Sequence, residues 1–230
     1  MKKNIVIVLS LIIVIGVMSL VLIFMKTDEQ NMNFTEDEIK FKEEYESKNG
    51  VELAQDYVLK TIDIDSDNNV KYVNDDEILN LLKNGTNVIY FGWSDCNWCR
   101  SVLPTLVKVV KENNIDTLYY YDFKNLRTAY ENDNDAKKVE IYKDILEIIG
   151  EDITSLFAED SLRNGEKKIL APTVVFIKDG KYVGLHFKSV DSQVSSTDEL
   201  DEMQIKELRS KYQTLIDKLS VNVCSTDEGC

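Results

Sequence analysis

The chain has 230 residues, 43% hydrophobic and 9% aromatic, which suffices for one domain with a real core and excludes a disordered chain. Forty-one Asp and Glu against 27 Lys and Arg leave a formal charge of −14, which repels phosphate backbones and excludes nucleic acid as a partner. Four cysteines are too few for a scaffold built on disulfides, but two of them are spaced Cys-x-x-Cys, a separation with chemistry of its own.

Met1-Lys2-Lys3-Asn4 is followed by a run from Ile5 to Met25 with no charged residue, broken only by Ser10, Gly16 and Ser19. At about 1.5 Å per residue the run crosses roughly 30 Å of hydrocarbon. It is longer than the apolar region of a cleavable signal, about 7–15 residues, and Met25-Lys26-Thr27 offers no small-x-small cleavage site. No cysteine near its end invites a lipid. Residues 1–26 are therefore expected to be a signal anchor, one transmembrane helix, with Lys2 and Lys3 held inside and the acidic segment after it outside. The expected location is the cell membrane, single-pass, with the C-terminal body extracytoplasmic, where disulfides form and persist.

Residues 27–69 read as a polar stalk and N-terminal helical extension: Thr35-x-x-Glu38 matches a capping box, Gly50 offers a stop, and 51–70 is weakly patterned. The main domain is expected over 70–221. Asn74-x-x-Glu77 caps a helix with Ile78, Leu79, Leu81 and Leu82 on its apolar face, ending at Asn84-Gly85. Val88–Phe91 is a short apolar run of the kind that forms a central strand covered on both faces. After the cysteine pair, Val102, Leu103, Leu106, Val107, Val109 and Val110 keep helical spacing up to Asn113-Asn114, and Thr117–Tyr121 is a second strand. A charged helical insertion is expected over 124–170, with Ile141, Ile145, Leu146 and Ile149 on one face and Gly150 as terminator. Thr173–Lys178 and Lys181–Phe187 flank Asp179-Gly180, a β-hairpin signature. A last helix over 198–219 puts Ile205, Leu208, Tyr212, Leu215, Ile216 and Leu219 on one face. The order specifies an α/β fold, a central mixed sheet flanked by helices. Residues 222–230 form a tail holding Cys224 and Cys230.

Cys96 and Cys99 fall where a central strand ends and a helix begins. Unpaired amides and the positive end of the helix dipole stabilise a thiolate there, so Cys96 is the expected nucleophile and Cys99, one turn on, the resolving thiol. Two plainer readings stand beside this one: an inert disulfide, or half of a zinc site completed by Cys224 and Cys230. The second is disfavoured because the pairs are far apart in the chain and no histidine is near either. Cys224 and Cys230 read as a disulfide that protects the tail, or as a second redox pair. Trp93 and Trp98 offer a rim for a substrate peptide, or ordinary packing. The sole histidine, His186, has no nucleophile motif around it and reads as structural. The run Glu131–Asp135 reads as a solvated loop; the glycine and terminal glutamate of an EF-hand are missing, and no metal or other cofactor is expected.

Strand, Cys-x-x-Cys, helix and hairpin together resemble the thioredoxin-like superfamily. Both prolines of the chain fit that resemblance. Pro104, inside the helix after the cysteines, matches a kink-forming proline. Pro172, in Leu170-Ala171-Pro172-Thr173, is similar to the cis-proline that faces the redox pair, and the resemblance implies that the Ala171 backbone hydrogen-bonds an extended substrate. Tyr90-Phe91-Gly-x-x-x-Cys-x-x-Cys-Arg-x-x-x-Pro further resembles membrane-anchored extracytoplasmic thioredoxin-like proteins of Gram-positive bacteria, including bacteriocin transport accessory proteins. Two positions depart from the thioredoxin pattern. Asp95 replaces a tryptophan and is expected to oppose thiolate formation. Tyr90 replaces the buried aspartate that relays protons to the resolving cysteine. The function implied is thiol-disulfide oxidoreductase, reducing, oxidising or exchanging disulfides in exported proteins or peptides, with an unidentified electron donor or acceptor. The rival is a non-catalytic binding or assembly module of the same fold with permanently oxidised cysteines.

Overall fold

The structure, a computed structural model, describes residues 34–220; the expected anchor over 1–26 and the Cys224/Cys230 tail lie outside them. Among the described residues no helix is long and apolar enough to cross a membrane. From Glu36 onward the described chain is one compact unit.

Helix α1 (Glu36–Glu46) opens with three acidic residues, which favour the positive end of the helix dipole. Phe41 and Tyr45, four apart on one face, are fully buried, so this helix belongs to the core of the sheet domain rather than to a stalk. A small hairpin, β1 (Glu52–Ala54) and β2 (Tyr57–Val58), follows. The main sheet contains β3 (Val70–Tyr72), β4 (Asn87–Gly92), β5 (Leu118–Asp122), β6 (Thr173–Lys178) and β7 (Lys181–Phe187) in the order β3-β5-β4-β6-β7. β3, β5 and β4 run parallel, β6 is antiparallel to β4, and β7 is antiparallel to β6. Every residue of β4 is buried, as an apolar strand covered on both faces requires.

Helix α2 (Ile78–Lys83) follows a capping box: Asn74 Oδ1 accepts from the Asp76 and Glu77 amides, and the Asn74 amide donates to Glu77 Oε2 at 3.1 Å. Helix α3 (Asn97–Glu112) carries Pro104 and packs against the last helix, α6 (Glu202–Ser220). Helices α4 (Lys124–Asn132) and α5 (Ala136–Ile149) pack on each other, α5 being capped by Asp135, which accepts from the Lys138 amide at 3.1 Å.

Two expectations are corrected. The insertion over 124–170 is helical only through a 3-10 turn at Gly150–Asp152; Gly150 ends α5 as its C-cap, as expected, and opens that turn. The remainder doubles back through a Leu156–Lys167 bridge, held by buried Phe157 against the Tyr130–Tyr142 ring stack. The weakly patterned segment over 51–70 leads into β3, an edge strand of three residues, too short to show a period. Ile205, assigned to the apolar face of α6, is 37% exposed, because burial on that helix begins at Leu208.

At the β6–β7 turn Asp179 and Gly180 have φ 51 and 73, the type I′ geometry read from Asp-Gly. The Gly180 amide donates to Gly85 O at 2.7 Å, and a Cβ at 180 would lie 2.4 Å from Lys83 O. Gly180→Ala should lower unfolding free energy by about 2–3 kcal/mol, read from the denaturant midpoint at unchanged slope. His186, on β7, meets Tyr212 edge-on and shares a hydrogen bond with Ser189 O at 3.1 Å. Burial, helped by the Lys211 cation, lowers its pKa from 6.5 to about 4. The native state thus resists protonation that the unfolded chain accepts, so the His186 contribution is complete above pH 6.5 and is lost as pH falls toward about 4. His186→Phe should flatten that part of the acid limb in pH-dependent denaturation.

Candidate functional site

The site begins with the buried strand β4, which delivers the chain through Trp93–Asp95 to Cys96. Cys96 has extended backbone (φ −110, ψ 112) and is the N-cap of α3, its sulfur accepting from the Cys99 amide at 3.3 Å. The same sulfur lies 3.7 Å from the carbonyl oxygen of Ala171, whose peptide bond to Pro172 is cis. Residues far apart in the chain, Cys96, Cys99, Ala171 and Pro172, are therefore brought to one place. Both thiols are free, Cys99 fully buried and Cys96 8% exposed.

Their acidities diverge. The Cys96 pKa is lowered, first by the hydrogen bond from the Cys99 thiol, then by the Cys99 and Trp98 amides and the Arg127 guanidinium, all acting against desolvation. The Cys99 pKa is pushed well up, first by burial and then by its bond to Cys96. The two sulfurs thus differ in both acidity and enclosure, the more acidic one being the less enclosed.

Two neighbouring charges act in ways the sequence did not reveal. Asp95, expected to oppose the thiolate, is paired with Lys124 Nζ at 2.6 Å, which offsets its field. Arg127 stacks on the Trp93 ring, its guanidinium 4.4 Å from the ring centroid, and adds positive potential at Cys96. Trp93 is consequently not a rim residue: it is 8% exposed, wedged between Arg127 and Phe123. Trp98 is half-buried and lines a cavity of about 440 Å3 together with Ala171, Lys188, Val190 and Val194. Ser189 and Gln193 also line it, and each has a buried side-chain oxygen without a partner.

The residues that fix the cysteine loop come from 45–60, the segment least patterned in sequence. Asn97, fully buried, donates from Nδ2 to Val58 O at 2.8 Å and accepts at Oδ1 from the Lys60 amide at 2.8 Å. Arg100, 1% exposed, donates from Nε to Lys60 O at 2.6 Å and from Nη1 to Tyr45 O and Ser94 O, each at 2.9 Å; Nη2 reaches Asn49 Oδ1. The only advance signal was a polar pair, Asn97 and Arg100, on the first turn of a helix whose apolar stripe starts at Val102.

Among the described residues no group of three His, Cys, Asp or Glu side chains is set to hold a metal. In the acidic run, Asp133 pairs with Arg163 at 2.5 Å and Asp135 caps α5. No family model matches this chain, and no curated protein matches it.

Arg127→Gln should raise the Cys96 pKa, so the rate-against-pH curve for alkylation of Cys96 by iodoacetamide should move to higher pH. Arg127→Lys should move it less. An unmoved curve would assign the acidity to the helix terminus and Cys99 alone.

Proposed function

We propose that the protein is a thiol-disulfide oxidoreductase with a thioredoxin-like domain, using Cys96 as nucleophile and Cys99 as resolving thiol. The observation that carries this reading is the unlike pair: one sulfur at a helix N-terminus, 8% exposed and with its pKa lowered, the other fully buried with its pKa raised. An inert pair has no need of such a difference. The mixed five-stranded sheet flanked by helices, the proline inside α3 and the Ala171 carbonyl beside Cys96 also support it.

In the reductive direction, the Cys96 thiolate attacks a partner disulfide and expels one partner thiolate. Cys99 then attacks Cys96, forming the Cys96–Cys99 disulfide and releasing the second partner thiolate. The partner is reduced by two electrons and the pair oxidised by two; the reverse sequence oxidises a partner dithiol. The cavity between Trp98 and Val194 suits an extended segment of an exported protein or peptide. Residues 1–26 would tether the domain outside the membrane.

In full-length protein, Cys96→Ser should abolish exchange with a test disulfide and Cys99→Ser should accumulate mixed disulfides on Cys96. The reduction potential of the pair should lie above about −300 mV. Exchange that survives Cys96→Ser, or a potential below that value, would favour the non-catalytic module.

A further inference from the structure

The mechanism above leaves one step without an agent: Cys99 must lose its proton inside the protein before it can attack. Cys99 is faced by Tyr90 from β4, Tyr45 from α1, Tyr212 from α6, Arg127 from α4, and Cys96 and Arg100 from its own helix end. None of these is a carboxylate. Three tyrosines in ring or hydroxyl contact, Tyr90, Tyr45 and Tyr120, lead toward the Glu44 carboxylate.

Their hydroxyls form a path. Tyr90 faces Cys99 from β4, and the Tyr90 and Tyr45 hydroxyls are 3.0 Å apart in a fully buried contact. Tyr120 packs against both, its ring centroid 5.6 Å from that of Tyr90 and 6.0 Å from that of Tyr45, and its hydroxyl donates to Glu44 Oε1 at 3.2 Å. Glu44 is half-buried on α1, its other oxygen taking the Tyr72 hydroxyl at 2.6 Å. The first hydroxyl is held in place by an absence. A Cβ at Gly92 would lie 2.5 Å from the Tyr90 oxygen, so only glycine two residues on lets the phenol fold along the strand toward Cys99. Tyr90 stacks on Tyr120 with centroids 5.6 Å apart, which fixes the ring from the other side.

We propose that Tyr90, Tyr45 and Tyr120 are a buried hydroxyl relay that carries the Cys99 proton to Glu44 as the mixed disulfide is resolved. This rests on the oxidoreductase reading. The Cys99 S–H gives its proton to the Tyr90 oxygen while Tyr90 passes its own to Tyr45, Tyr45 to Tyr120, and Tyr120 to the Glu44 carboxylate, which returns it to water. The sulfur electron pair forms the bond to Cys96, and the bond from Cys96 to the partner sulfur breaks with its pair on the leaving thiolate, which takes a proton from solvent. No tyrosinate needs to persist, which matters because burial pushes the pKa of all three phenols well above the ordinary value. The relay residues position and transfer a proton; they do not touch the partner.

The test uses full-length reduced protein with Cys224→Ser and Cys230→Ser as the parent, and dithiobis(nitrobenzoate), which then releases one thionitrobenzoate when Cys96 attacks and a second when Cys99 resolves. Tyr90→Phe, which removes one oxygen and keeps the ring, should leave the first release within about twofold and slow the second by about 10²-fold at neutral pH, the low end of what a positioned proton-transfer group contributes. The deficit should narrow as pH rises and hydroxide takes over. Tyr45→Phe and the half-buried Glu44→Gln should slow the same phase by smaller factors, and the preserved first phase reports that the site is folded. A second phase that is unchanged in Tyr90→Phe, or both phases slowed in parallel at every pH, would overturn the relay and leave the tyrosines as packing. A parent protein that never releases the second thionitrobenzoate would instead overturn the oxidoreductase reading.

Discussion

The Arg100 guanidinium holds the site together. A charge this deeply enclosed is tolerated only if its donors are satisfied, and here they meet four oxygens, all neutral, from three separate stretches of chain. The C-terminal end of α1, the segment running into β2 and beyond, and the loop before Cys96 all converge on one planar fork. Removing it would strand the Lys60 and Ser94 carbonyls in the interior, each costing about 1–3 kcal/mol, while Tyr45 O and Asn49 Oδ1 would keep the Lys48 and Ile62 amides. The buried charge is also uncompensated by any carboxylate, and its field falls on Tyr45, Tyr90 and Cys99.

The acidity of Cys96 follows from how that frame is built. Desolvation alone would raise a thiol pKa, and this sulfur is nearly enclosed. A helix terminus offsets about 0.3–1 kcal/mol in exposed settings and up to about 2 in partly buried ones, against about 1.4 kcal/mol for each pKa unit. The dipole alone is thus too small to acidify a buried sulfur strongly, and the donated Cys99 hydrogen bond leads the causes. The Cys99 and Trp98 amides and the Arg127 guanidinium add to it, while Lys124 pairs with Asp95 nearby. Burial sets one sulfur against the other: the enclosed thiol holds its proton more tightly and lends it as a hydrogen bond to the more acidic sulfur.

The elements on which the site stands were legible because each has a period or a punctuation mark. The apolar run of β4, the 3.6-residue stripe of α3 and the Asp-Gly turn between β6 and β7 are local signals. The cysteines could be named from their spacing, whereas Pro172 was named through the family resemblance. The segment between α1 and β3 was not legible: its strands have two or three residues, and its role is to lend backbone groups to Asn97 and Arg100, which only distant contacts reveal. Trp93 was misplaced because its partner Arg127 comes from the inserted helices and covers it. Likewise the effect of Asp95 was misjudged because Lys124, its counter-ion, sits across β5 in sequence but beside it in space.

The accessibility of the two sulfurs has a consequence for traffic through the centre. Of the two sulfurs only the edge of Cys96 meets solvent, near Ala171, which lines the cavity with Trp98. Under the oxidoreductase reading proposed above, a donor and an acceptor would share that one edge and would have to take turns at one doorway. Turnover would then be governed by how quickly the departing molecule vacates it.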